Sequence, residues 1–268
     1  MEALHQSGTQ IAQRYKISYL LGRGATGKTY AATDLQTGEQ VAIKEMSMRR
    51  AKEWKELDVF EREARVLSVL EHPAIPNYID YFEIDTDTNR YFYIVQELAI
   101  GKSLSQMVVE GWRTDEAGVK AIARQILAIL VYLHRLTPPV IHRDIKPEHA
   151  ICRQDGQIYL VDFGSVRSAF WSTNSSGATV VGTFGYMAPE QDRGQVYPAS
   201  DLYGLGSVLL FLLTHRSPAE LPQRRLKIDF RSHVQVSEQF ADWLDLMLEP
   251  MVEDRFHSAL QALRNLPA

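Results

Sequence analysis

Two stretches of this chain gather residue types suited to chemistry on a phosphate. Gly22-Arg23-Gly24-Ala25-Thr26-Gly27-Lys28-Thr29 satisfies two phosphate-binding patterns at once. Read as G-x-x-x-x-G-K-T, it is a backbone cradle that must open a helix, because the helix N-terminus meets the anion. Read as G-x-G-x-x-G, it is a glycine flap between two strands. Context favours the flap: Thr29-Tyr30-Ala31-Ala32-Thr33 leads into a turn and another strand, with no amphipathic helix. The flap reading leaves Lys28 exposed. The second stretch is His142-Arg143-Asp144-Ile145-Lys146-Pro147-Glu148-His149, followed by Asp162-Phe163-Gly164. It concentrates carboxylates, which accept protons and hold hard metal ions, beside cationic and imidazole groups.

These residues need elements to hold them. Residues 1–14 are polar and read as a loose lead-in. From Tyr15 the pattern is that of strands: Tyr15, Ile17, Tyr19 and Leu21 alternate as a half-buried strand requires. Further strands are expected over 29–33, 41–44, 79–82 and 91–95, with turns at Thr37-Gly38 and 85–89. A charged helix over 53–70 presents Phe60, Ala64, Leu67 and Leu70 on one face, and His72-Pro73 ends it. That makes five strands and one helix. Beyond Gly101 the pattern is mainly helical. Thr114, followed by Asp115 and Glu116, is the expected helix start, and Val119, Ile122, Ile126, Leu130 and Leu133 keep helical spacing. A short strand over 158–161 follows the Asp155-Gly156 turn, and helices are expected over 202–213, 240–248 and 258–266. The Ser/Gly/Thr-rich segment 172–179 reads as exposed and mobile. A small β lobe before a larger α lobe is an α+β architecture, whose cleft is the default ligand site.

Composition narrows the function classes. The chain has 268 residues, 45% of them hydrophobic and 23% charged, as expected of a globular protein. A net charge of -4 disfavours nucleic acid as a partner. The single cysteine, Cys152, excludes an internal disulfide and reads as a buried structural thiol in a reducing compartment. The apolar stretch 202–213 is too short to span a bilayer, so no membrane segment is expected. Met1-Glu2-Ala3-Leu4-His5-Gln6 lacks the basic start and apolar run of a leader. The expected localisation is cytoplasmic.

Taken in order from Tyr15 to Leu266, the motifs resemble those of a Ser/Thr protein kinase of the bacterial type. The resemblance implies a bilobal protein-kinase-like fold: a lead-in over 1–14, an N-lobe over 15–97 with an antiparallel sheet and one helix, and a mainly helical C-lobe over 98–268. It implies ATP as phosphoryl donor, Mg²⁺ or Mn²⁺ as the ion, and a protein Ser/Thr hydroxyl as acceptor. Lys44 of Val41-Ala42-Ile43-Lys44 takes the place of the phosphate lysine, with Glu63 as its ion-pair partner. Asp144 takes that of the base that accepts the substrate proton, with Lys146 touching the moving phosphoryl group and Thr183 bonding near Asp144. Asp162 falls where the family holds its metal. Gly22, Gly24, Gly27, Thr29 and Ala42 fall on the nucleotide positions, Gln96 on the residue that limits access behind adenine, and Glu97 and Leu98 on the hinge. Glu190 would pair with Arg255, and Asp201 would brace the catalytic loop.

The chain departs from that pattern at His149, where the family carries a metal-binding Asn. Imidazole nitrogen is a poor ligand for Mg²⁺ and a better one for Mn²⁺. Two readings follow: a Ser/Thr kinase with weakened or altered metal use, or a nucleotide-binding pseudokinase acting as an allosteric scaffold. Arg143 beside Asp144 suggests regulation through a phosphate on the segment before Gly182-Thr183, with Thr179 its first candidate.

Overall fold

The computed structural model describes residues 5–24, 27–48, 54–166 and 183–268, with the backbone alone at 54 and 55. The chain divides into two compact units, Met1–Ile100 and Gly101–Ala268.

The first unit is built on a six-stranded antiparallel sheet. Its strands are β1 (Gln10–Ile11), β2 (Tyr15–Arg23), β3 (Lys28–Asp34), β4 (Gln40–Ser47), β5 (Tyr78–Thr86) and β6 (Asn89–Glu97), in the order β1-β2-β3-β4-β6-β5. The expected count of five misses β1. Residues 10 and 11 are too few to show a period, and only pairing with Tyr15 and Lys16 makes them a strand. The lead-in is therefore not loose over its described part: Ile11 is buried with Tyr15, Ile17, Tyr30, Ile43, Tyr93 and Val95 in one core cluster. In β2 the expected alternation holds at Tyr15 and Ile17 and then fails, leaving Tyr19 and Leu21 exposed. Register shifts between Ile17 and Tyr19, and between Leu20 and Gly22, turn those side chains out.

Gly27 closes the hairpin between β2 and β3, and the next residues form a strand, as a flap requires and a helix-opening cradle forbids. A Cβ at Gly27 would stand 1.9 Å from the carbonyl oxygen of Glu45, so only glycine fits there. Lys28 is not exposed as expected. It lies one residue out of phase with Thr29, on the covered face of the sheet, and is 4% exposed. Helix α1 (Trp54–Leu67) buries Phe60, Ala64 and Leu67 and ends before Leu70.

The second unit is mainly helical. Helix α2 (Leu104–Val109) follows the short strand β7 (Lys102–Ser103). Helix α3 (Glu116–Arg135) starts one residue later than expected: the capping side chain is Asp115, whose carboxylate accepts from the Gly118 amide at 3.0 Å. By length and mean hydropathy α3 could cross a membrane, yet Val119, Ile122, Ile126, Leu130 and Leu133 make it a core helix. Strands β8 (Ala150–Cys152) and β9 (Ile158–Leu160) form a hairpin beside β7. Helix α4 (Pro198–Thr214) is buried along most of its length, and Gly204 lets it lie against Ile145, where an added Cβ would come within 3.1 Å. Helices α5 (Glu238–Met247) and α6 (Ala259–Arg264) complete the unit, joined by the Trp243 indole N–H donating to the Ala262 carbonyl at 2.9 Å. Cys152 is half-buried rather than buried. Burial, then Asp155, pushes its thiol above the ordinary value, which disfavours the reactive thiolate.

Candidate active site

In the first unit the antiparallel register fixes which side chains share a face. Thr29 pairs with Lys44, and Ala31 with Ala42. Lys44 Nζ donates to both carboxylate oxygens of Glu63, at 2.9 and 2.7 Å. Glu63 reaches it because α1 carries that residue on its buried side, at 3% exposure. Gly22 pairs with Thr29 across the flap, and the Gly24 amide donates to the Gly27 carbonyl at 2.9 Å. Gln96 is the register partner of Ala42. The Glu97 amide donates to the Asn77 carbonyl at 2.8 Å, and the Leu98 amide to that of Gln40 at 3.4 Å. Those two expected hinge amides are thus engaged within the unit.

In the second unit the β8–β9 hairpin does the positioning. Ala150 pairs with Leu160, so the residue before β8 stands opposite the one after β9, and the Val161 amide donates to the His149 carbonyl at 2.9 Å. Asp162 follows at once. Its carboxylate Oδ2 lies 3.2 Å from His149 Nε2. On the other side of the imidazole, Nδ1 is 2.9 Å from the Asp144 carbonyl oxygen and 3.5 Å from its carboxylate. A carbonyl only accepts, so Nδ1 carries a proton. Nε2 then holds either a second proton or a lone pair toward Asp162.

Asp144, Lys146 and Thr183 close a triangle. The Thr183 hydroxyl donates to Asp144 Oδ1 at 3.0 Å, and Lys146 Nζ donates to the Thr183 oxygen at 3.0 Å. Lys146 also stands 3.1 Å from Asp144 Oδ2. The base candidate is therefore held at both oxygens, one by a hydroxyl and one by a cation.

The backbone beneath this triangle is strained. Arg143 and Asp162, neither a glycine, have φ of 70° and 63°. Asp201, in the first turn of α4, holds the first of them in place. Its oxygens accept from the His142 amide at 2.9 Å and the Arg143 amide at 2.8 Å, and from His134 Nε2 at 2.9 Å. Gln191 Nε2 donates to the Arg143 carbonyl at 2.9 Å. Sequence reasoning missed His134 and Gln191. Each is a polar residue beside stronger signals, and only the fold aims it at the loop. His142 is fully buried against Phe163, and burial holds its imidazole below the ordinary range. Glu190 and Arg255 form a buried bidentate pair at 2.7 Å. Thr179 lies outside the described residues, and so does the 172–179 segment.

The family model described as the protein kinase domain matches residues 15–265. Serine/threonine-protein kinase B of Synechocystis is 39% identical over 93% of this chain and 46% of its own length. Kinase F of the same organism is 36% identical over 94% of this chain and 54% of its own. Serine/threonine-protein kinase PknA of Nostoc is 32% identical over 96% of this chain and 47% of its own. The chain spans about half the length of these curated relatives. Matching nearly end to end, with its strands and helices in that order, the chain belongs to the protein kinase domain family, of the bacterial serine/threonine type.

Proposed function

We propose that this chain transfers the γ-phosphoryl group of ATP to Ser or Thr hydroxyls of proteins. The observation that carries the reading is the triangle of Asp144, Lys146 and Thr183. Phosphoryl transfer asks little covalent chemistry of the protein and much positioning. Asp144 orients the acceptor hydroxyl and takes its proton, while Lys146 neutralises charge on the oxygens that move. Lys44, aimed by Glu63, meets the phosphates beneath the glycine flap of Gly22, Gly24 and Gly27. Thr29, Ala42 and Gln96 line the base, and Glu97 and Leu98 border it at the hinge through groups other than their engaged amides. Arg143 reads a phosphate on the segment carrying Thr179.

The family implies a divalent ion, and the donor set fits one. Adjacent ligands on an ion with bonds of about 2.1 Å stand roughly 3.0 Å apart, close to the 3.2 Å between Asp162 Oδ2 and His149 Nε2. Those two residues would hold it. A bound Mg²⁺ or Mn²⁺ neutralises phosphate charge, and a nitrogen ligand favours Mn²⁺. The same contact supports the second reading. A doubly protonated His149 would claim the Asp162 carboxylate for itself and leave a nucleotide-binding scaffold.

Phosphate transfer to the chain itself and to a generic Ser/Thr substrate, with Mg²⁺ or Mn²⁺, tests both. The expected result is transfer that is faster with Mn²⁺ and falls by about 10²–10⁴ in Asp144→Asn. His149→Asn should restore the use of Mg²⁺. Nucleotide binding without transfer, unrescued by His149→Asn, would establish the scaffold instead.

A further inference from the structure

The face of the sheet opposite Lys44 carries a charged cluster with no part in the reaction described above. Strand alternation sets it there: Lys28 and Glu45 are register partners, each one residue from the Thr29–Lys44 pair. Both are nearly excluded from water, at 4% and 2% exposure. Lys28 Nζ stands 3.7 Å from Glu45 Oε1. The other oxygen, Oε2, accepts from the Tyr93 hydroxyl at 3.1 Å and faces His5 Nε2 at 2.5 Å. Burial, then the Glu45 charge, holds the Tyr93 phenol far above its ordinary value, so it remains a donor.

His5 reaches Glu45 because the segment before β2 is strapped along that strand. The Gly8 amide donates to the Ile17 carbonyl and the Ile17 amide to the Thr9 carbonyl, both at 2.8 Å. Ile11 seals the core cluster below, and the His5 ring meets Tyr30 edge-on at 5.3 Å. This strap precedes the family-matched region, which begins at residue 15. It nevertheless closes on the flap. The Glu45 side chain holds Lys28, while its carbonyl is the surface that Gly27 fits against at the foot of the hairpin.

We propose that His5, Lys28 and Glu45 are positioning residues for the nucleotide. The strap clamps Glu45 from outside, and Glu45 seats Gly27 and Lys28, so that residues 5–11 set how rigidly the flap and the Lys44 strand are presented. The proposal rests on the reading of the glycine hairpin as a phosphate flap.

Two measurements on the whole chain test it: amide hydrogen exchange followed by mass spectrometry, and direct binding of a fluorescent ATP analogue with Mn²⁺. His5→Ala and Lys28→Met should speed exchange over 27–34 and 41–47 by about ten-fold relative to β5 and β6. They should weaken the analogue by about five-fold, raising KM for ATP with kcat at saturation unchanged. His5→Gln, which can still donate to Glu45, should recover both. Exchange that is unchanged, or faster everywhere alike, overturns the brace. Faster local exchange with affinity within about two-fold of the parent overturns the positioning role. A parent chain that binds no analogue sinks the flap reading itself, and exchange still reports on the brace.

Discussion

Lys44 with Glu63 in the first unit, and Arg255 with Glu190 in the second, are both bidentate cation–carboxylate pairs closed at 2.7 Å. Their surroundings differ. The Arg255 side chain has no exposure, and each of its nitrogens has a fixed acceptor. Nε donates to the Glu249 carbonyl at 2.5 Å, Nη1 to Glu190 and the Ala199 carbonyl, and Nη2 to Glu190 and the Pro250 carbonyl. Tyr203 lies under the guanidinium at 5.0 Å. Lys44 instead offers a compact ammonium on a flexible stem, and its side chain keeps 13% exposure. A planar fork with all donors assigned is a clasp, whereas an ammonium with rotatable donors can be shared with an arriving phosphate. On the proposed function, the same charge chemistry serves architecture in one unit and phosphate delivery in the other.

The comparison breaks most visibly at Arg255. Removing one partner of a buried pair leaves an uncompensated charge. Arg255→Met should cost about 3–5 kcal/mol in urea unfolding followed by Trp fluorescence. A loss below about 1 kcal/mol would mean that Glu190 finds water, as surface pairs do. Lys44→Arg probes the other member. It keeps the charge beside Glu63 but puts a rigid fork where the phosphates need a point charge. Transfer should fall by about 10²-fold, close to 2.7 kcal/mol, with unfolding free energy within about 1 kcal/mol of the parent. A variant that loses stability and activity together would show the two pairs to be alike. The reciprocal exchange, Arg255→Lys, should be milder than loss of the whole side chain. It keeps one charge for Glu190 and forfeits the backbone carbonyls, at about 1–2 kcal/mol.

Both pairings follow from the family resemblance, with different support from the residues themselves. Glu63 also lies in a helix whose apolar period, at Phe60, Ala64 and Leu67, is legible. Arg255 has no periodic context. The strands β3 and β4, bounded by turn residues, were located to within three residues at each end. β1 was invisible because two residues carry no period, and the outward turn of Tyr19 and Leu21 depends on register shifts that no local pattern encodes. Lys28 teaches the same lesson. A lysine in a glycine hairpin reads as exposed, and the strand register turns it onto the covered face of the sheet against Glu45. At His149 the residue type raised the question of the metal, but its contact with both carboxylates comes from the β8–β9 register and the turn before it.

The smallest predicted effect separates the clasp from its surroundings by pH. Burial alone would raise the Glu190 pKa, but the Arg255 hydrogen bonds and charge outweigh it, with help from Ser200, and hold the carboxyl below its ordinary 4.5. Between that value and the lower folded one, the unfolded chain binds more protons than the folded chain, so stability falls as pH falls. The contribution is complete above about 4.5 and lost through the folded pKa. In Arg255→Met burial is opposed only by the Ser200 hydroxyl and the local backbone, so the carboxyl loses the two largest influences that hold it down. His142 is depressed by burial below 6.5, and it adds an acid loss common to both proteins that cancels in the difference. The stability gap between parent and Arg255→Met should therefore be constant from pH 7 to about 5 and narrow below about 4.5. Urea titrations at steps of pH measure it directly. A gap that stays constant to pH 3.5 would mean that Glu190 titrates independently of Arg255, and that the clasp stabilises the unit through its backbone carbonyls alone.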